Sequence, residues 1–364
     1  MLVPKADDNA DSLATGSSSV KDFADTGSQP QADSPALQVT QSSSRAFIRG
    51  TQPFKGVSES VMEIILKSWR DSTLKQYWSY LKRWIEFCGE RETDPVCTNV
   101  NSALIFLRKL YDDGISYSGL NTARSALSSI SPDNIGNHSL VVRFMKGVFH
   151  SRPSRPRYTS TWDVSVVLKF LKTWDPPGKL SLKKLTLKVI MLLALLTGQR
   201  GQTLFNILLT DITLSKSCLK IHISSLLKQS RPSFHIQDIE LPSFSKDKSL
   251  CIVHYMKHYI DRTKKLRSGT KLFVTSMRPY GDASRDTISR WIKTVLNLAG
   301  IDTTVFKSHS TRMASTSKAR ALHVPIDDIL KSGGWSKECT FRKFYNRPIN
   351  RKNNAFSKAL LDNV

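Results

Sequence analysis

Residues 309–348 run HSTRMASTSKARALHVPIDDILKSGGWSKECTFRKFYNRP. His309 and Arg312 stand three apart, and on a helix they would share one face. Two cationic or hydrogen-bonding heads side by side suit an anion better than a core, with a helix-capping role as the structural alternative for His309. Residues 325–332 read as a short helix opened by Pro325 and closed by Gly333-Gly334. A last helix, with Ser336 as its cap, carries Tyr345 and stops before Pro348. Tyr345 lies in Phe341-Arg342-Lys343-Phe344-Tyr345-Asn346-Arg347-Pro348. A phenol among positive charges suits nucleophilic attack on a phosphate. Phe341, one turn earlier, leaves the reading of Tyr345 as a core aromatic open as well.

The 364 residues leave room for two ordinary domains and a tail, and 40% of them are hydrophobic, enough for real cores. Lys and Arg number 54 against 30 Asp and Glu, a formal net charge of +24. Such an excess calls for a polyanionic partner, nucleic acid before an anionic membrane. The cysteines are Cys88, Cys97, Cys218, Cys251 and Cys339, an odd number with no CxxC pair. That excludes a disulfide framework and a zinc site, so no metal is expected and a reducing, intracellular compartment is. The N-terminus lacks the basic-then-apolar pattern of a signal peptide, and the longest apolar run, Val189 to Leu196, is too short for a bilayer. A soluble protein with no membrane partner is the expectation.

Working outward, residues 1–57 read as a disordered Ser/Asp-rich tail. The first 44 hold six Asp and two Lys, net −4, so the remainder carries +28. Residues 58–150 read as a small all-helical domain. Its clearest helix starts at the cap cluster Asp71-Ser72-Thr73 and ends at Gly89. Leu74, Tyr77, Trp78, Leu81, Trp84, Ile85 and Cys88 form its apolar stripe, a core face and not a platform for bases. Further helices are expected at 101–112, 118–129 and 139–150. Residues 151–160 form a basic linker in which two prolines favour an extended strap. Arg152, Arg155 and Arg157 on it suit a phosphate backbone, and a plain interdomain linker is the equal alternative.

Residues 161–364 read as a second domain. Asp163 caps a helix through Trp174, and Asp175-Pro176-Pro177-Gly178 is a loop. A longer helix from Ser181, apolar all round in its second half, is buried. It runs into Thr197-Gly198-Gln199-Arg200, where the arginine needs an anion or solvent. Leu219, Ile221 and Ile223 alternate, as do Phe234 and Ile236, then Ile239 and Leu241 across an irregularity. These give a small antiparallel sheet whose connecting turn carries Lys228 and its close rival Arg231. Helices return at 249–264 and 286–298. The fold class is mainly α with a small antiparallel β-sheet.

Thr-Gly-Gln-Arg200 after a buried helix, Lys228 on a hairpin, His309-x-x-Arg312, Gly-Gly-Trp335 and Tyr345, in that order, resemble the tyrosine recombinase (phage integrase) family. The resemblance covers about residues 157–350, and the helical region before it is similar to that family's core-binding domain. Gly-Gly-Trp and Phe-x-x-Phe-Tyr-x-Arg-Pro resemble recombinases of eukaryotic mobile elements of the DIRS and Crypton type.

The resemblance implies DNA strand exchange by a metal-independent transesterification with no cofactor. Tyr345 would attack a phosphodiester to give a 3′-phosphotyrosyl link. Arg200 and Arg312 would grip the non-bridging oxygens, Lys228 would protonate the leaving 5′-oxygen, and His309 would take or share the tyrosine proton. Trp335 stands where many relatives have His. Its indole donates a hydrogen bond but carries no proton, so packing or phosphate contact is expected of it. Thr203 stands where the family has an acidic residue, which puts one supporting contact in doubt. Also implied are double-stranded DNA held between the two domains, a homo-tetramer on DNA, and a nuclear location. The tail residues Phe356, Leu360 and Leu361 would pack on a neighbouring protomer or fold back. The alternative is a catalytically inactive, recombinase-derived DNA-binding protein.

Overall fold

The computed structural model describes residues 43–153, 156–232 and 237–350. The expected tail up to residue 42, strap residue Arg155, strand residues Phe234 and Ile236, and Phe356, Leu360 and Leu361 lie outside the described residues. The chain divides into two units between Arg155 and Pro156.

In the first unit, α1 (43–49) precedes α2 (Glu59–Lys67), α3 (Asp71–Gly89), α4 (Val100–Asp112), α5 (Tyr117–Ser128) and α6 (Ser139–Ser151). Leu74, Trp78, Leu81, Trp84 and Cys88 bury one stripe of α3, as the spacing predicts, joined by Phe87, while Tyr77 and Ile85 of the expected stripe are partly buried. The Trp84 indole packs edge-on to Phe106 of α4 at 5.3 Å and donates to the Pro95 carbonyl at 2.9 Å, so the buried ring leaves no orphan N–H. Two expectations are corrected. The unit begins before Ser58, because Ile48 of α1 is fully buried in its core. Asp71-Ser72-Thr73 does not cap α3: Arg70 is the N-cap, and Asp71 in the first turn pairs with Arg45 at 3.2 Å.

The second unit is built on α8 (Leu182–Thr197), capped by the Ser181 hydroxyl and ended by Gly198, whose φ of 59° is the left-handed stop that favours glycine. Every residue from Leu185 to Leu195 is buried, so α8 must be covered on all sides. Around its core stand α7 (Val164–Lys172), α9 (Gly201–Asn206), α10 (Ile252–Thr263), α11 (Arg285–Leu298) and α12 (Ser310–Ala321). The sheet runs β1 (Ile212–Leu214), β2 (Cys218–Ile221), β3 (Ile239–Pro242), antiparallel throughout. Leu219 opposite Leu241 and Ile221 opposite Ile239 set its register, and Leu219 and Ile221 are buried. The fold is therefore mainly α with a small antiparallel sheet, as the patterning predicts.

A smaller cluster closes the unit. It gathers Met313 of α12, Ile329 of α13 (Ile326–Gly333), Trp335, Phe341 of α14 (Glu338–Phe344), and Tyr345. Gly334, at φ 66°, stops α13. Gly333 lies against the Trp335 ring so closely that a Cβ there would come within 2.1 Å of it. Two local expectations fail here. Lys337, not Ser336, is the N-cap of α14, and Tyr345 is its C-cap residue, one position beyond the last helical turn. The chain after Tyr345 is stitched to the start of the unit: Thr161 N–H donates to the Pro348 carbonyl at 2.8 Å, and Arg347 Nε to the Tyr158 carbonyl at 3.0 Å.

One charge sits inside the α8 core. Lys188 is fully buried, its Nζ donating to the Trp174 carbonyl at 2.6 Å and lying 3.8 Å from the centre of the Tyr255 ring. Burial pushes its pKa down to about 8, against the opposing pull of Asp175 and Asp247. Between that value and the ordinary 10.5 the unfolded chain binds more protons than the folded one, so stability must rise with pH through this window. Lys188→Met should abolish a rise on the order of 2 kcal/mol, read from urea unfolding of both proteins between pH 7.5 and 10. In the smaller cluster, Gly333→Ala should cost about 1–3 kcal/mol in the same assay by forcing the Trp335 ring from its seat.

Candidate active site

Loop ends supply most of the candidate residues, because the elements that carry them stop where the polar groups must begin. Gly198 turns the chain out of α8, and Arg200 follows as the N-cap residue of α9. Its guanidinium is half-buried, and Nη1 is buried with no hydrogen-bond partner among the described residues. A guanidinium nitrogen withdrawn from water without an acceptor is suited to receive an anion.

Arg312, in the first turn of α12, is 1% exposed. Its Nη1 donates to the Gly198 carbonyl at 2.9 Å and its Nη2 to the Gly333 carbonyl at 2.6 Å. Its Cζ lies 3.8 Å from the centre of the Trp335 ring and 5.0 Å from that of Tyr345. Both Nη atoms therefore hold main chain, where the sequence reading aimed them at phosphate oxygens. Trp335 is buried, with this guanidinium over its ring and the Tyr345 ring tilted against it at 51°, the ring centres 4.6 Å apart. Its Nε1 is buried and has no hydrogen-bond partner among the described residues. The packing role expected for Trp335 is thus visible, and a donor remains on the same ring.

Tyr345 is 4% exposed. Its hydroxyl lies 3.4 Å from His309 Nε2, with the two ring centres 5.9 Å apart. His309 occupies the N-cap position of α12 in helical conformation and makes no side-chain cap, so the capping alternative is not realised. The Tyr345 carbonyl accepts from Ser317 Oγ at 2.7 Å, which ties the tyrosine to α12, the helix whose N-cap residue is His309. The core reading and the site reading of Tyr345 describe two parts of one residue: a packed ring and a hydroxyl at an imidazole.

Lys228 and Arg231 are exposed on the long connection between β2 and β3. The Lys228 N–H donates to Gln202 Oε1 of α9 at 3.3 Å, while Gln229 Nε2 donates to the Gly333 and Gly334 carbonyls, each at 3.4 Å. The lysine loop is thereby fastened to the segments that carry Arg200 and Trp335. Sequence reasoning missed Gln199, Gln202 and Gln229. Gln199, 5% exposed, donates to the Ser332 carbonyl at 2.6 Å and accepts from Thr203 Oγ1 at 3.1 Å. The only signal for it in the sequence was its place between an αL glycine and an arginine.

Arg152 belongs to the helical unit, donating to the Tyr111 and Ile115 carbonyls at 3.2 and 3.3 Å and lying over the Tyr111 ring. The expectation that it lies on an extended strap is corrected: α6 runs through Ser151, and Arg152 caps the neighbouring turn. Arg157 is exposed beside Tyr158, and Arg155 lies outside the described residues. No helix among the described residues is long and apolar enough to cross a membrane.

The profile of the Phage integrase family matches residues 162–351. Among solved structures, the chain is similar to the XerH site-specific recombinase bound to a palindromic difH substrate, at 13% identity and a TM-score of 0.55, over 90% of this chain and 94% of that one. It is also similar to the Tn1549 transposon integrase in complex with transposon right end DNA, at 11% identity and a TM-score of 0.52, over 89% and 99%. At such identities these likenesses speak for the fold. No curated protein sequence matches. The profile spans more than half of the chain and contains Arg200, Lys228, His309, Arg312, Trp335 and Tyr345, and so the chain belongs to the phage integrase family.

Proposed function

We propose that this protein cuts and rejoins double-stranded DNA, recombining or integrating a mobile element through a 3′-phosphotyrosyl intermediate. The contact between the Tyr345 hydroxyl and His309 Nε2, beside the Arg312 guanidinium, carries this reading. A phenol with an ordinary pKa of about 10 is a weak nucleophile at neutral pH. It becomes effective when a base accepts its proton and a fixed positive field favours the phenolate. His309 supplies the base and Arg312 the field. The phenolic oxygen forms its bond to phosphorus as the 5′-oxygen departs with a proton from Lys228, and rejoining reverses the step.

Charge accumulates on the non-bridging oxygens in the pentavalent transition state. Arg200, whose buried Nη1 has no hydrogen-bond partner among the described residues, would receive one of them, and the Trp335 indole N–H is the candidate donor to another. Fixed donors of this kind are worth about 100- to 1000-fold each in rate. Arg312 acts through its charge and by shaping the wall. Arg157 and Arg231 are exposed and suited to the sugar-phosphate backbone, with Arg155 in the same role. The active assembly on DNA is a tetramer, the origin a eukaryotic element of the DIRS or Crypton type, and the working location the nucleus.

A duplex nicked near its cleavage point traps the covalent intermediate, because the short leaving strand diffuses away. The wild-type protein should give a protein–DNA adduct that resists denaturation, and Tyr345→Phe should give none while still shifting the duplex. His309→Ala should slow adduct formation by about 100-fold or more. An equal adduct yield from Tyr345→Phe would refute the assignment. Binding without any adduct from the wild-type protein would mark it as a DNA-binding protein that has lost catalysis.

A further inference from the structure

Gln199 does not touch the reacting groups of the proposed chemistry, yet it is buried at the junction of the segments that hold them. Its Nε2 donates to the Ser332 carbonyl and its Oε1 accepts from Thr203 Oγ1. Its own N–H donates to Thr197 Oγ1 at 3.2 Å, and Ser332 Oγ donates to the Thr197 carbonyl at 2.7 Å. Arg312 grips the next residue on each side, Gly198 and Gly333. The loop that presents Arg200 and the turn that presents Trp335 are therefore bolted together by a guanidinium, an amide and the Ser332 hydroxyl.

The amide link has a direction. The Ser332 carbonyl only accepts, so the Gln199 NH2 must face it, and the Gln199 oxygen must then face Thr203. Whatever stands at 203 must donate. The Thr203 hydroxyl, 1% exposed, does so. An ionised carboxylate at 203 only accepts. It would oppose the amide oxygen, or force the amide to turn and oppose the Ser332 carbonyl. Either arrangement leaves buried acceptors facing each other without a proton between them.

We propose that Thr203 and Gln199 are positioning residues, a neutral relay that sets Arg200 against the Arg312–Trp335 wall and requires a hydroxyl donor at position 203. Position 203 is where the family resemblance expects an acid, so the inference has a sharp consequence: restoring the acid damages this site. Its catalytic readout rests on the strand-cleavage reading above, whereas its structural readout does not.

The test uses the full chain with Thr203→Ser, Thr203→Val, Thr203→Asp and Gln199→Glu. Adduct formation on the nicked duplex is followed at saturating and limiting DNA, alongside melting temperature. Thr203→Ser should stay within about twofold of wild type, while Thr203→Val should lose about tenfold in the saturated cleavage rate, the weight of one buried hydrogen bond. Thr203→Asp and Gln199→Glu should lose more than Thr203→Val. The DNA concentration for half-saturation should stay within about threefold, since a positioning defect acts on the rate constant more than on binding. Melting temperatures should fall in the order serine, valine, aspartate at 203. The proposal is overturned if Thr203→Asp cleaves as fast as wild type or faster, or if valine and serine at 203 behave alike in both assays. Should the wild-type protein itself form no adduct, the strand-cleavage reading falls, and the melting order alone then upholds or overturns the relay.

Discussion

A single buried guanidinium holds the site together. Withdrawing Arg312 from water costs several kcal/mol, which only close acceptors and aromatic faces can offset. The chain provides both: the carbonyls of Gly198 and Gly333 in the plane of the group, and the Trp335 ring at 3.8 Å. These partners come from two stretches of sequence far from each other and from Arg312 itself. None of them is in place until α8 has ended, α13 has ended and the turn to α14 has formed. The charge therefore acts as a lock on tertiary structure: its removal would take the guanidinium donor from the Gly198 carbonyl and leave the Gly333 carbonyl with the longer bond from Gln229.

Glycine makes that lock possible at each carbonyl. Gly198 and Gly334 adopt positive φ and turn the chain sharply, so a helix ends where its last free carbonyls meet a cation. Gly333 has no side chain, and Trp335 occupies the space a Cβ would need. The Gly-Gly-Trp triplet is thus one device: a helix stop, a flat surface, and the ring that lies on it. The apolar helix α8 fixes the other half, since burial on every side leaves it no freedom to rotate or slide and delivers the Gly198 carbonyl to a defined point.

Periodicity was enough to read the longer helices and the existence of the sheet, because a 3.6-residue stripe or a two-residue alternation is written in consecutive residues, whereas the short helices α1, α2 and α9 were not read. The order of the motif residues likewise marked Arg200, Lys228, His309, Arg312, Trp335 and Tyr345 as one set. What periodicity does not encode is direction. The spacing of His309 and Arg312 suggested one shared face turned toward an anion. In the fold His309 sits at the helix entrance facing the phenol, and Arg312 turns inward to main-chain acceptors. Arg152 shows the same limit, since its attachment to Tyr111 and Ile115 spans some forty positions and leaves no local trace. The glutamines were illegible for a related reason: an amide has no preferred partner until the fold brings one.

The placement of Tyr345 follows from these constraints. As the C-cap residue of α14 it receives no further helical turn, and its carbonyl is taken up by Ser317 of α12 instead. Beyond it, Arg347 is tied to Tyr158, and Thr161 pairs with Pro348 and Asn350. The ring itself is wedged against Trp335. A side chain restrained at ring, carbonyl and following strand does not search for its target. It holds the phenolic oxygen near His309 Nε2; in the proposed strand cleavage the entropy of alignment would be largely met when the protein folds, and less of it would remain for the chemical step. The apolar burial of the ring would in this sense be part of the proposed chemistry: packing at one end of the residue fixes the hydroxyl at the other.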